Sequence, residues 1–159
     1  MTVRNLEYLF HPKSVAVVFE PNEPSRYAEV ILDNLAKGGY TGPVIPVAVK
    51  NRSIFGFGIG MGSHITLDKL KEAPDLAVVC AALDDAPEII AQLGARGTRA
   101  VLVGASMRET LGEREMREAH KAILDAARPH LIRVLGPGSH GLLVPGSALN
   151  ASLPFVGAK

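Results

Sequence analysis

Val15-Ala16-Val17-Val18-Phe19, entered from Pro12 and closed by Pro21, is the stretch that decides the fold. Five consecutive apolar residues with no polar interruption leave no wet face, so the run reads as a strand covered on both sides. β-branched valines suit such a strand, because their branched side chains pack well on a pleated surface. Downstream, the period changes. Over Ser25–Lys37 the apolar residues Ala28, Ile31, Leu32 and Leu35 fall on one side of a helix. Gly38-Gly39 follows, and glycine accepts the left-handed conformation that ends a helix.

The same alternation continues to residue 135. Pro43–Val49 is a second strand, and Leu76–Ala81, preceded by Pro74-Asp75, is a third. Asp85-Ala86-Pro87-Glu88 reads as a helix start with an acceptor side chain at the cap. Ile89, Ile90 and Leu93 give that helix its inner face, and Gly94 is expected to close it. Ala100–Val103 is a fourth strand. Gly112 to Arg128 is the most regular helix, with Met116, Ala119, Ile123 and Ala126 on one side and Pro129 as its stop. Leu131–Leu135 is a fifth strand, whereas Leu149–Lys159 has neither period and is expected to be a connecting segment. Strands that are continuous apolar runs, separated by amphipathic helices, define an α/β class: a Rossmann-like doubly wound parallel sheet. No repeat, linker or low-complexity tract interrupts the pattern, so residues 1–159 are expected to form a single domain.

Composition narrows the function classes. At 159 residues and 47 % hydrophobic, the chain has material for one substantial core. Its 17 Lys+Arg balance 16 Asp+Glu, without the basic surplus a nucleic-acid binder shows. The single cysteine, Cys80, cannot form an internal disulfide, which excludes a disulfide-stapled secreted scaffold. The longest apolar run, Leu76–Leu83, has eight residues against the about 20 that a membrane helix needs. Nor does Met1-Thr2-Val3-Arg4-Asn5 lead into an apolar stretch of signal-peptide length. The expectation is a cytoplasmic domain with no membrane and no nucleic-acid partner.

In an open parallel sheet, ligands bind outside the carboxyl ends of the strands. Those ends are Phe19-Glu20-Pro21-Asn22, Ala48-Val49-Lys50, Ala81-Ala82-Leu83, Gly104-Ala105-Ser106 and Gly136-Pro137-Gly138-Ser139-His140-Gly141. Other constellations carry less. Phe55–Gly62 has glycine at every second position, not the Gly-x-Gly-x-x-Gly of a dinucleotide turn, and it does not follow the first strand. It reads as a loop segment, with a lid over the site as the alternative. Ser139-His140 suggests a nucleophile and base, but adjacent residues rarely face one another and no third group is identifiable. His120, His130 and His140 are too widely spaced for a metal motif.

Leu6…Phe10-His11-Pro12-Lys13-Ser14-Val15-Ala16-Val17, Gly42-Pro43-Val44-Ile45-Pro46-Val47 and Ala73-Pro74-Asp75-Leu76-Ala77-Val78-Val79 resemble the CoA-binding domain of NDP-forming acyl-CoA synthetases. So do Leu93-Gly94-Ala95-Arg96-Gly97, Arg133-Val134-Leu135-Gly136-Pro137 and Leu149-Asn150-Ala151-Ser152. The wording looks closest to the domain that opens the bacterial protein lysine acetyltransferases with a synthetase-like body. The resemblance covers essentially the whole chain. It implies a Rossmann-type domain that holds CoA while other domains or subunits of a synthetase or acetyltransferase form or use an acyl-phosphate. This chain would then be the amino-terminal module, or a piece, of a longer protein.

At the ligand-facing ends the sequence departs from the family. Phe19-Glu20-Pro21 stands where the family has Gly-Ala-Ser after its first strand. Phe19 adds bulk where backbone must approach phosphate, Glu20 brings an anion, and Pro21 removes an N–H donor. Pro46-Val47-Ala48-Val49-Lys50 replaces Pro-Val-Asn-Pro-Lys, keeping only the lysine of its last three residues. Gly104-Ala105-Ser106-Met107 replaces Ser-Ala-Gly-Phe, and Gly136-Pro137-Gly138-Ser139-His140-Gly141 replaces Gly-Pro-Asn-Cys-x-Gly. The resemblance implies CoA contacts at Val18, Phe19, Glu20, Ala81 and Ser106. It further implies a phosphate or ribose contact at Lys50 and a wall made by Gly136, Pro137 and Ser139. Two readings stand side by side: a CoA-binding module with an altered phosphate loop, and a degenerate copy kept for structural or regulatory contacts. A different nucleotide such as NAD fits less well, because the glycine fingerprint and the acidic residue at the second strand end are both missing. Exposed apolar surface on a domain without its partners would also allow copies of the chain to pair.

Overall fold

A computed structural model describes residues 3–20, 26–49, 64–104 and 112–153. Eight strands and four helices are built from these segments. They are α1 (Leu6–Phe10), β1 (Val15–Phe19), α2 (Arg26–Lys37), β2 (Val44–Ala48), β3 (Ile65–Thr66), β4 (Leu76–Cys80), α3 (Ala86–Arg96), β5 (Ala100–Gly104), α4 (Glu113–Ala127), β6 (Arg133–Ser139), β7 (Gly141–Val144) and β8 (Leu149–Ser152). Six strands form one parallel sheet in the order β3-β2-β1-β4-β5-β6, the arrangement of doubly wound dinucleotide-binding domains.

β1 lies at the centre, and all five of its side chains are fully buried. The pleat sends them to opposite faces. Ala16 and Val18 join the core under α3 and α4 with Ile90, Leu93 and Ile123. Val15, Val17 and Phe19 join the core under α2 with Ala28, Ile31 and Leu35. On this second face part of the cover comes from an antiparallel hairpin, β7 with β8, whose Leu149 and Ala151 are fully buried. The expectation that Leu149–Lys159 is structureless is therefore wrong over Leu149–Ser152. Four residues against a single partner strand are too few to show a period in sequence.

Two other elements have shifted bounds. Helix α3 does not close at Gly94 but runs to Arg96, and Gly97 at φ 114° takes the left-handed cap. Gly94 lies inside because the His130 ring packs against it, where an added Cβ would come within 2.5 Å of the ring. The Asp85 side chain makes no cap hydrogen bond. The last sheet strand runs from Arg133 to Ser139 and not from Leu131 to Leu135: Leu131 adopts a left-handed conformation (φ 56°) that ends the turn after α4, and pairing with β5 continues to Ser139. Helix α4 starts with the Glu115 carboxylate accepting from the Gly112 N–H at 2.9 Å. Its exposed ion pairs, such as Arg114–Glu118, lie within the helix.

The amino ends of β1 and β4 are tied by polar contacts. Asp75 accepts from the Lys13 N–H at 2.8 Å, and its own N–H donates to the Ser14 hydroxyl at 3.1 Å. The Tyr40 hydroxyl donates to the Pro12 carbonyl at 2.9 Å, and burial, with the nearby Asp75 charge, pushes its pKa up. Among the described residues, no helix is long and apolar enough to cross a membrane.

Candidate functional site

β1 and β4 are neighbours, with Phe19 in register with Cys80, yet the helices that follow them cover opposite faces. In open parallel sheets a change of face such as this marks the place at the carboxyl edge where ligands bind. The edge is lined by Glu20 after β1, Val49 after β2, and Ala81 and Ala82 after β4, all half-buried. Val49 donates its N–H to the Phe19 carbonyl at 3.0 Å, extending the β1–β2 pairing by one residue.

Val18 and Phe19 offer the edge their backbone alone. The Val18 side chain lies in the α3–α4 core and the Phe19 ring in the α2 core, both with no exposed surface. The bulk expected to stand against a ligand is thus turned into the protein interior. His64, a residue that sequence reasoning did not single out, meets this ring edge-on with centroids 5.8 Å apart. No motif announces it, because the contact joins segments 45 residues apart. Cys80 packs against the same core, and burial pushes its thiol pKa up to about 12.

The second wall is at β6, three strands away and so about 14 Å across at ordinary strand spacing. Leu102 pairs with Leu135 and Gly104 with Ser139, so Gly136, Pro137 and Gly138 together oppose Val103 as a bulge. Gly136 (φ 100°) and Gly138 (φ 82°) supply backbone conformations that side chains oppose, and the Gly136–Pro137 bond is cis. Gly136 also lies directly on the Val103 carbonyl, where a Cβ would collide. The Ser139 hydroxyl accepts from the Gly141 N–H at 3.2 Å and is turned into its own loop. His140, beside it, is exposed. The structure accordingly brings Phe19, Glu20 and Ala81 together at one end of the edge. It gathers Gly136, Pro137 and Ser139 at the other. Lys50, Ser106, Pro21 and the segment 55–62 lie outside the described residues.

Fold and edge together define a Rossmann-like α/β domain whose covering helices change face between β1 and β4. The chain belongs to the CoA binding domain family, whose profile matches residues 13–145. It is 30 % identical over 148 residues to the acetate–CoA ligase [ADP-forming] I subunit alpha of Pyrococcus furiosus, covering 93 % of this chain and 32 % of that one. It is 26 % identical over 142 residues to acetate–CoA ligase [ADP-forming] II of Archaeoglobus fulgidus, covering 89 % of this chain and 20 % of the relative. Among solved structures it resembles the dinucleotide forming acetyl-coenzyme A synthetase 1 of Ca. Korarchaeum cryptofilum in its apo form, with TM-score 0.72 and 28 % identity. That match covers 93 % of this chain and 31 % of that one. The same synthetase in complex with phosphate and ADP gives TM-score 0.73. The chain therefore spans a third or less of the length of these relatives.

Proposed function

We propose that this domain binds coenzyme A along the carboxyl edge of its sheet and serves as the CoA-binding module of a longer ADP-forming acyl-CoA synthetase. The observation that carries the reading is the change of helix face between neighbouring β1 and β4, in a chain whose family is the CoA binding domain. CoA joins a nucleotide diphosphate to a long, flexible pantetheine arm, and an edge about 14 Å wide suits so extended a ligand. The backbone after Val18, with Phe19, Glu20 and Ala81, meets the diphosphate end. Lys50 meets a phosphate or ribose, Ser106 lines the middle, and Gly136, Pro137 and Ser139 form the far wall. Other domains or subunits of the synthetase would carry the acyl-phosphate chemistry, in which the isolated chain takes no catalytic part. A protein acetyltransferase parent is the alternative for the same module.

A second reading has its own observation. The Glu20 carboxylate is half-buried at the end of β1, within the stretch where the family has its Gly-Ala-Ser turn. On that reading the domain keeps its fold for contacts with partner domains and holds no CoA.

Thermal unfolding with and without millimolar CoA, with NAD and ATP as comparators, separates the two. A ligand at about 100 times its Kd stabilises the fold by about 2.7 kcal/mol, a Tm rise of about 5–11 °C at this size. A CoA-specific rise supports the binding module. A cooperative transition that none of the three ligands moves supports the scaffold.

A further inference from the structure

We propose that Asn150 is a positioning residue for both walls of the candidate site, acting through Ser152 at the end of β8. The observations lie in the β7–β8 hairpin, away from the β1–β4 edge. Asn150 Oδ1 accepts from the Ser152 hydroxyl at 2.6 Å and from the Ser152 N–H at 3.3 Å. The Ser152 carbonyl in turn accepts from the buried Asn34 side-chain amide at 2.9 Å, which ties β8 to the last turn of α2. One residue on, the Leu153 N–H donates to the His140 carbonyl at 2.7 Å, at the turn that leaves the Gly136–Ser139 bulge.

Two close approaches reinforce these bonds. A Cβ on Gly38 would come within 3.2 Å of the Asn150 Cβ, so α2 lies directly on the hairpin. Gly141, at φ 112°, lies against the Ala151 carbonyl and Ser152 Cα, where a Cβ would collide. Neither contact leaves room for the hairpin to slide. The helix that follows the β1 edge and the bulge that ends β6 therefore hang on one short polar junction. A buried amide such as Asn34 costs free energy unless its partner stays in place, so the junction favours one arrangement of α2 over its neighbours.

In this junction Asn150 works as an acceptor only, which makes the proposal chemically specific. Aspartate at position 150 keeps the acceptor and alanine removes it. Hydrogen exchange of the 159-residue chain reads the junction without any ligand, and CoA titration reads its effect on the site. The second readout rests on the CoA reading above, and the first does not. For Asn150→Ala we expect amide exchange at least tenfold faster both in α2 and over residues 138–141. CoA affinity should fall at least fivefold, and Asn150→Asp should remain near the parent in both measurements. Should Asn150→Ala fail to fold, Ser152→Ala removes the 2.6 Å bond and is expected to move both regions in the same direction. Faster exchange confined to β8 overturns the proposal. So does unchanged CoA affinity in a variant with faster exchange, or an Asn150→Asp as defective as Asn150→Ala. A parent chain that ignores CoA while the two regions loosen in concert overturns the CoA reading alone and supports the junction.

Discussion

The ring of Phe19 meets the imidazole of His64 edge-on, with centroids 5.8 Å apart and ring planes at 70°. One residue closes the central strand and the other leads into the edge strand β3, so the contact spans β2 between them. It holds in the interior an aromatic group that sequence reading would set in the ligand's way.

That geometry determines how the proposed CoA site should be tested. Replacing Phe19 by glycine would leave a ring-sized void in the α2 core and cost about 3–5 kcal/mol, enough to confound any binding assay. Glu20→Gln is the cleaner change, since it removes a negative charge from the edge without touching the core. If CoA binds there, we expect about fivefold tighter binding, the worth of one unit charge at about 4 Å in water. Isothermal titration of the two proteins side by side checks it, and equal or weaker affinity in Glu20→Gln contradicts the assigned location.

Gly136→Ala should destabilise the domain by about 2 kcal/mol or more. The new Cβ meets the Val103 carbonyl, and the backbone there is left-handed. At this size the loss corresponds to a Tm lower by about 4–8 °C. Urea unfolding of the variant measures it, and parental stability would mean the bulge can rearrange.

Gly94→Ala tests the contact between α3 and the turn after α4. Its Cβ would come within 2.5–2.7 Å of His130 Cγ, Cδ2 and Cβ, which are too close to the backbone to swing aside. Overpacking of this kind costs about 1–3 kcal/mol. Combining it with His130→Ala should cost less than the sum of the single changes, as expected when two residues share one contact.

Cys80 makes stability depend on alkaline pH. Its thiol ionises near 9.0 in an unfolded chain and near 12 in the folded one, because burial opposes the thiolate. The unfolded state therefore binds fewer protons above pH 9. The stabilising contribution is complete below that pH and is lost as pH rises towards 12. Cys80→Ala should flatten this part of the stability profile relative to the parent. At pH 8 the folded thiol should also react with a disulfide reagent at least about 100-fold more slowly than free cysteine, since the thiolate is the nucleophile.

Much of the architecture is legible in local sequence, and some elements show why. Val15–Phe19 and Leu76–Cys80 declare themselves because a strand covered on both faces must be apolar throughout. Ala28, Ile31 and Leu35 show the helical period because α2 buries one side only. The hairpin strand Leu149–Ser152 does not, since its four residues mix two buried apolar side chains with two that make polar bonds. Gly94 was misread as a terminator for a related reason. Its function is steric, and the ring that requires it arrives from the turn after the next helix.

The candidate site divides along the same line. Sequence by itself determined the class of fold and the order of its main strands and helices, all properties of residues close in the chain. Only the tertiary structure decided that the Phe19 ring faces the core, that His64 covers it, and that the Ser139 hydroxyl is bonded to Gly141 and not to His140. It alone joined Asn34 to Ser152, 118 residues apart. Side-chain direction at the end of a strand follows from the pleat and from which helix lands on which face. Both are set by packing between distant segments, and no local pattern carries that information.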